Sequence, residues 1–270
     1  MTRHRTAVLL PDLHSPYHDR RAWRLVLQVI RQMAPDEVIQ LGDLTDQACT
    51  GRWAKDPRKV ATFKQEIDAT NVLLDELDED APEAEKTIIF GNHDARLENY
   101  LVDQAPDLLD LPGLSLSELL RLEERGFSWC PYKKGIHRGA MFLTHDVGRC
   151  GKRAHEQAVE DLGHSYCGGH THNLSVSYRG TIFGESRVGA SLGWLGDVRH
   201  IGYKHAEKAK RDYQLGFGVL RWFDRGPRKG MFSLVPVPIV DYTCCVDGEW
   251  FSERPRKGDY WHAAGGRGGK

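Results

Sequence analysis

The sequence predicts an α/β fold built on a mainly parallel β-sheet. In the first third of the chain, short apolar runs of strand length alternate with amphipathic stretches of helical length, the order expected of a parallel sheet with crossover helices. Polar residues and glycines follow the end of each predicted strand. Because such sheets bind ligands beyond the carboxyl ends of their strands, these two patterns together predict a ligand site at one edge of the sheet.

The first elements follow from the spacing of apolar residues. Thr6–Leu10 predicts a buried strand, Arg21–Met33 a helix and Glu37–Leu41 a second buried strand. Val60–Leu77 is amphipathic and predicts a long helix, and Thr87–Phe90 predicts a third strand. The motifs that follow the three strands are therefore expected to meet in space.

A helical insertion is predicted near residues 106–130. Ser115 and Glu118 have the spacing of a capping box, and the following apolar pattern predicts an amphipathic helix over Leu116–Glu124. Because this stretch comes directly after a polar motif, we expect it to lie over the site as a cap or lid.

The second half of the chain predicts further strands. They are Ala140–Leu143, Tyr166–Gly168, a hairpin of Ser175–Tyr178 and Thr181–Phe183 that turns at Arg179-Gly180, and the later strands Phe217–Trp222 and Phe232–Val240. We expect one domain over residues 1–250, with a core of about residues 5–185 and with C-terminal strands and a basic segment in 186–250. Residues 251–270, rich in glycine and basic side chains, predict a flexible tail.

Charge is unevenly distributed although the formal net charge is only −1. Residues 1–150 carry 19 basic and 25 acidic side chains, whereas residues 151–270 carry 18 and 13. The densest basic segment, Arg199–Gly230, has nine basic and three acidic residues. Interleaved with them are the aromatic residues Tyr203, Tyr213, Phe217 and Trp222, and together they could follow a nucleic-acid backbone and stack on its bases. This distribution fits a protein that holds cations beside a polyanion, and it fits a solvated helix face equally well.

The cysteines and the N-terminus predict a cytoplasmic protein. The six cysteines include no C-x-x-C pair, and reduced thiols are the usual state in a chain of this kind. No apolar stretch has the length of a signal peptide or of a transmembrane helix.

Five short motifs contain the residue types that bind divalent metal ions. They are Asp12-Leu13-His14, Gly42-Asp43-Leu44-Thr45-Asp46, Gly91-Asn92-His93-Asp94, Thr144-His145-Asp146 and Gly169-His170-Thr171-His172. Any one motif could be an ordinary turn, and none could hold an ion alone. Their occurrence in order, each after a short apolar run, favours a shared site for two ions. Two ions about 3.5 Å apart are suited to cleaving phosphate esters.

The donor types also indicate which ions fit. Mixed carboxylate and imidazole donors suit Mn²⁺, Fe²⁺ or Zn²⁺ better than Mg²⁺ or Ca²⁺, which prefer oxygen alone. In an extended backbone, Asp12 and His14 would point to the same side and reach one ion, and the same spacing recurs in His170-x-His172. Glycines before three of the motifs are expected to allow sharp turns. They are Gly42, Gly91 and Gly169.

The ordered set D-x-H, G-D-x-x-D, G-N-H-D, a later His and G-H-x-H resembles the calcineurin-like metallophosphoesterase superfamily. The resemblance covers roughly residues 5–185, and the run from Gly91 to Glu98 also looks like phosphoesterases carried by bacteriophages. It implies a four-layer α/β/β/α fold in which two sheets pack face to face with helices outside. It also implies two divalent ions, with Mn²⁺ favoured over Zn²⁺, Fe²⁺ or Ni²⁺.

The resemblance assigns roles by position. The first metal would be bound by Asp12, His14, Asp43 and His172, and the second by Asp43, Asn92, His145 and His170, so that Asp43 bridges. His93 would point away from the metals and protonate the leaving oxygen, and Asp46 would hydrogen-bond His93 and orient it. We expect Arg96 to be a candidate contact for the substrate phosphate.

Two departures from the family pattern bear on the substrate. Asp146 stands where the fourth motif usually has glycine, and its role is open. Phe90 and Gln47 stand where the protein phosphatase branch has arginines, which argues against a protein phosphatase.

The sequence therefore predicts a phosphoesterase that uses a hydroxide held between two ions. A phosphodiesterase that acts on nucleic acid or nucleotides is favoured. The alternatives are a small-molecule phosphomonoesterase or pyrophosphatase and, less favoured, a non-catalytic binding module on the same scaffold. The sequence indicates neither the native metal nor the oligomeric state.

Overall fold

A computed structural model describes residues 3–51, 60–180, 182, 184–200 and 212–259. The longer helices are Arg20–Met33 (α1), Phe63–Asp80 (α2), Arg96–Gln104 (α3), Leu116–Leu119 (α4) and Ala154–Leu162 (α5). The strands are Arg5–Leu10 (β1), Glu37–Gln40 (β2), Glu85–Ile89 (β3), Ser128–Cys130 (β4), Gly135–Arg138 (β5), Met141–Thr144 (β6), Ser165–Gly168 (β7), Leu174–Gly180 (β8), Ser186–Leu192 (β9), Gly216–Trp222 (β10), Phe232–Pro238 (β11), Thr243–Val246 (β12) and Glu249–Ser252 (β13).

Two mixed sheets form the centre of the molecule. The first has the strand order β11-β10-β1-β2-β3-β4, and β1 to β4 run parallel to one another. The second has the order β5-β6-β7-β9-β8, in which β6, β7 and β9 run parallel. The remaining two strands, β12 and β13, form a separate hairpin.

The alternation of side chains along β1 explains how the layers assemble. Ala7 and Leu9 point into a core between the two sheets, whereas Val8 and Leu10 point into a core that also contains apolar residues of α1 and α2. On the far side of the second sheet, Val159 of α5 packs in a third cluster. Both faces of β1 are buried, as its unbroken apolar sequence predicts. The predicted four-layer α/β/β/α fold is thereby confirmed.

Side-chain caps set the starts of the two long helices. Asp19 accepts hydrogen bonds from the backbone N–H groups of Arg21 and Ala22, which begins α1. Thr62 and Gln65 form a capping box, so α2 begins after Thr62 rather than at Val60. These caps satisfy N–H groups that lack partners within the helix.

The insertion near 106–130 is present, but its predicted position as a lid is wrong. Its helix is only α4, because the chain turns at Arg121, which has a left-handed backbone (φ 53°). Leu116, Leu120, Leu122 and Phe127 pack in the core of the outer helical layer, whereas Leu108, Leu109 and Leu111 are exposed. Arg125 forms ion pairs with α2 through Asp75 and Asp78. The stretch then enters the first sheet as β4. Burial of Leu116, Leu120 and Leu122 therefore holds this part of the insertion in the outer helical layer.

The C-terminal half contributes more of the core than predicted. Strands β9 and β10 lie inside the two sheets, with β10 directly beside β1, so the core extends well past residue 185. The predicted hairpin also differs, because Arg179 and Gly180 belong to β8 and pair with β9. The strand that pairs with β8 is β9, which begins at Ser186, and residues 181 and 183 of the predicted second strand fall outside the described residues.

Ordered contacts continue past residue 251, where the tail was predicted to begin. Strand β13 runs to Ser252, and Arg24 forms ion pairs with the buried carboxylates of Glu253 (3.0 Å) and Asp259 (2.7 Å). These contacts correct the start of the tail, and residues 260–270 lie outside the described part. Among the described residues, no helix combines the length and the apolar character needed to cross a membrane.

Candidate metal centre

The five motifs lie in loops that follow five parallel strands, three in the first sheet and two in the second. Asp12 and His14 follow β1, Asp43 follows β2 and Asn92 follows β3. In the second sheet, one motif follows β6 and the other follows β7, which bring in His145, His170 and His172. Because the two sheets face each other, both sets of loops reach the same edge of the molecule, as the strand pattern predicts.

One half of the site is formed by the first and last motifs. His14 Nε2 lies 3.1 Å from His172 Nε2, and His172 Nε2 lies 3.3 Å from Asp12 Oδ1. Asp43 Oδ2 lies 3.8 Å from His14 Nε2 and connects this half to the rest of the site. These contacts bring together the four residues predicted for the first metal.

The other half is formed around Asn92 and Asp43. Asn92 Oδ1 lies 3.0 Å from His145 Nε2 and 2.9 Å from His170 Nδ1, and Asp43 Oδ2 lies 3.4 Å from His145 Nε2. The structure thus brings together the four residues predicted for the second metal, with Asp43 between the two halves.

These donor positions fit divalent ions. Donors about 2.0–2.2 Å from one ion lie roughly 3 Å from one another, which is close to the separations found here. Within the part of the chain that the structure describes, three triads have ligand atoms within 4.8 Å of one another, and they are Asp12-His14-His172, Asp43-His145-His170 and His14-Asp43-His93.

Burial and neighbouring charges shift the pKa values of the site residues in different directions. Burial lowers the pKa of His14, and it lowers that of His172 to about 3, which leaves lone pairs available on both rings. Burial likewise raises the pKa of Asp12 to about 6. His145 is the exception: burial alone would lower its pKa, but Asp43, Asp12 and the Leu41 carbonyl together raise it to about 10. Metal binding at His145 would therefore displace a proton.

Five of these residues have left-handed backbone conformations, which non-glycine residues rarely adopt. The φ angles are 38° at Asp12, 50° at His14, 53° at Asp43, 68° at His170 and 57° at His172. An extended backbone was expected to point Asp12 and His14 to one side, and likewise His170 and His172. That expectation is wrong, because left-handed backbone conformations set the directions of these side chains. Strained conformations of this kind concentrate at functional sites.

Two of the three motif glycines are required because neighbouring atoms leave no room for a side chain, and not because of their backbone conformation. Gly42 has a positive φ of 95°, but Gly91 and Gly169 do not. A Cβ atom at Gly91 would overlap the Asp43 carboxylate, and one at Gly169 would overlap that of Asp12. Hydrogen at these positions leaves room for the buried carboxylates.

Gly91→Ala is expected to abolish metal binding because the added methyl group would displace the Asp43 carboxylate. Gly180→Ala is a matched control, since nothing lies within 4 Å of the added atom and its φ is not positive. Metal content should be measured after gel filtration, together with thermal unfolding. Two bound ions in a folded Gly91→Ala protein would contradict this account of the glycine.

His93 points toward the metal-ligand cluster, with Nε2 3.9 Å from Asp43 Oδ2, so the expectation that it points away from the metals is wrong. Its Nδ1 is 3.0 Å from Asp46 Oδ1, and its ring centre is 4.6 Å from that of His14. Asp46 Oδ1 also lies 3.2 Å from His14 Nδ1. One carboxylate therefore orients both the candidate proton donor and a candidate metal ligand, a double role that the sequence did not reveal.

Charge at this pair favours a protonated imidazole. Burial alone would lower the pKa of His93, but Asp43 and Asp46 outweigh it and raise that pKa. Burial alone would raise the pKa of Asp46, but hydrogen bonds from His14 and His93 hold it well below its ordinary value. Arg96 opposes protonation, with Nη2 2.9 Å from His93 Nε2 and Nη1 donating to the Asp46 carbonyl at 2.8 Å. A charged His93 would repel this guanidinium.

The structure adds two aromatic residues to the site. The Trp194 ring stacks on His172 with centres 4.8 Å apart, and the Tyr213 ring meets His172 edge-on at 4.4 Å. Trp194 was not predicted because it follows β9, which reaches this edge only through the tertiary fold. Its packing restricts the rotation of His172.

Other sequence expectations about the site are corrected. Phe217 and Trp222 are buried in the core and cannot stack on nucleic-acid bases, and Tyr203 lies outside the described residues. Gln47 is buried, and its side chain binds backbone groups of Asp94 and Leu97. The position that carries an arginine in protein phosphatases therefore has a structural role here.

Two neighbouring carboxylates have structural contacts. Asp94 is buried and accepts hydrogen bonds from backbone N–H groups of Leu44, Thr45 and Gly91, which ties two motifs together. Asp146 Oδ1 accepts a hydrogen bond from the Gly148 N–H at 2.7 Å. Its Oδ2 is buried without a hydrogen-bond partner among the described residues.

Comparison with known proteins finds relatives in bacteriophages. No protein-family model matches the sequence. Two proteins, each called Gene 54 protein, come from Mycobacterium phages L5 and D29. They are 25% and 26% identical to this chain over 259 residues, which cover 89% of this chain and 96% of each relative. The similarity therefore extends far beyond the five motifs.

Solved structures give weaker matches. Vacuolar protein sorting 29 from Cryptosporidium parvum aligns with 94% of this chain and 99% of its own, at 15% identity and a TM-score of 0.44. YfcE, a phosphoesterase from E. coli, aligns with 86% of this chain and 98% of its own, at 15% identity and a TM-score of 0.39.

Proposed function

We propose that this chain is a calcineurin-like metallophosphoesterase of the bacteriophage type that hydrolyses phosphodiesters, with nucleic acid or nucleotides as the substrate class. One observation carries the proposal. Seven candidate ligand side chains from five separate loops converge in one pocket, beside the buried pair of His93 and Asp46. A fold needs no such convergence of strained polar residues for its stability.

The donor set would hold two divalent ions, and Asp43 would contact both. Its position between His14 and His145 supports that role, and its negative charge would offset the repulsion between the ions. Mn²⁺ is the favoured ion because carboxylate, amide and imidazole donors are mixed. When bound, the ions would activate a water molecule and neutralise charge on the phosphate.

His93 would supply the proton that the leaving group needs. Water bonds to phosphorus and releases a proton to solvent, the bond to the leaving oxygen breaks, and a proton on Nε2 passes to that oxygen. Asp46 holds the ring by its other nitrogen, Nδ1, which leaves Nε2 directed toward the pocket. In the structure Nε2 faces the Arg96 guanidinium, which can only donate, so Nε2 would take up this proton once Arg96 moves to the phosphate. The raised pKa of His93 favours that uptake.

Arg96 would bind the substrate phosphate. Its guanidinium is 2.9 Å from His93 Nε2, so an anion bound at that position would give it a stronger, charge-assisted partner. Movement of Arg96 toward the phosphate would free Nε2 of His93 for proton donation.

Phosphodiesters are favoured over monoesters because the arginines of the protein phosphatase branch are missing. Gln47 and Phe90 occupy those positions, and both side chains pack internally. A dianionic monoester therefore lacks those two cations. Tyr213, beside His172 at the pocket, is compatible with a nucleotide substrate because aromatic rings stack on bases.

Two other functions remain as alternatives. A small-molecule phosphomonoesterase or pyrophosphatase would use the same two ions. A non-catalytic binding module is disfavoured because such a module has no use for the proton donor, and this chain has both His93 and Asp46.

With Mn²⁺, the purified protein is expected to hydrolyse bis-p-nitrophenyl phosphate faster than p-nitrophenyl phosphate. The two esters share a leaving group, so the comparison isolates the charge of the phosphate. Rates should be measured with Mn²⁺, Zn²⁺, Fe²⁺ and Mg²⁺, followed by DNA, RNA and cyclic nucleotides. Faster hydrolysis of the monoester would favour the first alternative, and no hydrolysis of any ester would favour the binding module.

A further inference from the structure

A buried glutamate lies directly behind the loop that carries Asp46. Glu66 is in the first turn of α2 and has no solvent-exposed surface. Its Oε1 accepts a hydrogen bond from the backbone N–H of Gln47, and the backbone N–H of Asp46 also faces the carboxyl group. Burial of a carboxyl group carries a desolvation cost, which these backbone contacts offset in part.

The backbone that Glu66 contacts is an unusual turn. Gln47 has a left-handed conformation with φ 45°, and it directly follows Asp46. The Gln47 side chain accepts from the Leu97 N–H at 2.7 Å and donates to the Asp94 carbonyl at 2.9 Å. The turn is therefore held by its side chain on one side and by Glu66 at its backbone.

The surroundings of Glu66 favour its neutral form. The charged groups that face it are Asp46 and His93, and Tyr17 and Cys49 also lie in this cluster. Burial, followed by the charge of Asp46, raises the pKa of Glu66 to about 8. In the neutral acid, Oε2 carries the proton and Oε1 remains the acceptor for the Gln47 N–H.

We propose that Glu66 is a positioning residue, whose buried carboxyl group fixes the Asp46-Gln47 turn and thereby aims the His93 proton donor. The inference rests on the proposed phosphoesterase function and adds a residue from outside the five motifs. Asp46 Oδ1 is only 3.0 Å from His93 Nδ1, so a small shift of the turn would misdirect the imidazole.

Two substitutions at Glu66 test whether its carboxyl group positions the turn or whether its side chain only fills space. Glu66→Gln keeps the Oε1 acceptor and is neutral, so it is expected to retain activity. Glu66→Leu fills the space but leaves the Gln47 N–H without its partner. Thr70→Val is the matched control, because Thr70 is buried one turn later on α2 and its hydroxyl donates a hydrogen bond to the backbone carbonyl of Glu66 in the same helix.

The readout compares two diesters that differ in their need for a proton. Bis-p-nitrophenyl phosphate releases a stable anion, whereas diphenyl phosphate releases a poorer leaving group that benefits from protonation. Glu66→Leu is expected to lose roughly 10- to 100-fold on diphenyl phosphate, and much less on the nitrophenyl ester. Metal content should remain at the wild-type level, and Thr70→Val should behave as the wild type on both substrates.

Stability provides a second readout that does not depend on catalysis. A carboxyl group whose pKa rises on folding stabilises the protein fully below its unfolded value, near 4.5, and that contribution is lost as the pH rises through about 8. Glu66→Gln cannot titrate, so its thermal stability relative to the wild type is expected to increase from pH 5 to pH 8.

The possible failures are distinguishable. Equal losses of Glu66→Leu on both diesters, or a large loss of activity in Glu66→Gln, would overturn the positioning role. If Glu66→Leu does not fold, the activity of Glu66→Gln and its thermal stability relative to the wild type decide the question. A stability difference that is the same at pH 5 and pH 8 would overturn the inference. A wild-type protein that hydrolyses no ester with any metal would refute the proposed function instead, and the stability comparison would still test Glu66.

Discussion

Asp43→Asn is expected to release both metal ions and to abolish hydrolysis. Asp43 is buried, and its Oδ2 lies between His145 (3.4 Å), His14 (3.8 Å) and His93 (3.9 Å). Burial alone would raise the pKa of this carboxyl group, but the surrounding imidazoles hold it well below its ordinary value. The group is therefore an anion at the centre of the site. A neutral amide there would not offset the repulsion between two dications.

The loss of activity should exceed the roughly 10²–10⁴-fold effect of removing a general acid, because the substrate would also lose its electrostatic partners. Metal content should be measured after gel filtration in Mn²⁺, together with the hydrolysis of bis-p-nitrophenyl phosphate. Asp110→Asn is a suitable control, since Asp110 is exposed in the insertion. An Asp43→Asn protein that keeps two ions would remove Asp43 from its bridging role.

His93→Ala is expected to keep both ions while losing most activity toward poor leaving groups. The ring contacts Asp46 and Arg96, and its removal leaves the seven candidate ligands intact. The rate on diphenyl phosphate should fall by roughly 10²–10⁴-fold. The rate on bis-p-nitrophenyl phosphate should fall less, because its leaving group departs without a proton.

Metal analysis of this variant is the sharper test, because His93 also forms a triad with His14 and Asp43 that could hold an ion. The loss of one ion from His93→Ala would make His93 a ligand and would end its assignment as the proton donor. His164→Ala serves as the control, since His164 is exposed and outside the motifs.

Local patterns predicted the strands that carry the site. β1, β2, β3, β6 and β7 all lie within one or two residues of their expected positions, because each is a short apolar run followed by a turn. The motif residues were identifiable for the same reason, since their types and order are contained in the chain itself.

Features that depend on packing were less predictable. The insertion was expected to be a lid, yet Leu116 and its apolar neighbours are buried beside α2.

The roles of individual contacts required the assembled fold. Nothing near Glu66 in the sequence distinguishes it from the other acidic residues of α2, and its importance arises because the loop after β2 crosses that helix. Likewise, Trp194 reaches His172 only because β9 lies inside the second sheet.

The sequence by itself determined the α/β alternation, the identity of the candidate ligands and the strand ends from which they project. These properties depend on neighbouring residues, whose spacing and chemistry are visible along the chain. Only the tertiary structure decided that the ligand residues adopt left-handed conformations, that Asp46 holds both His14 and His93, and that Glu66 supports the turn. Those features arise from contacts between distant segments, such as His14 and His172, which are 158 positions apart, and a local pattern carries no information about them.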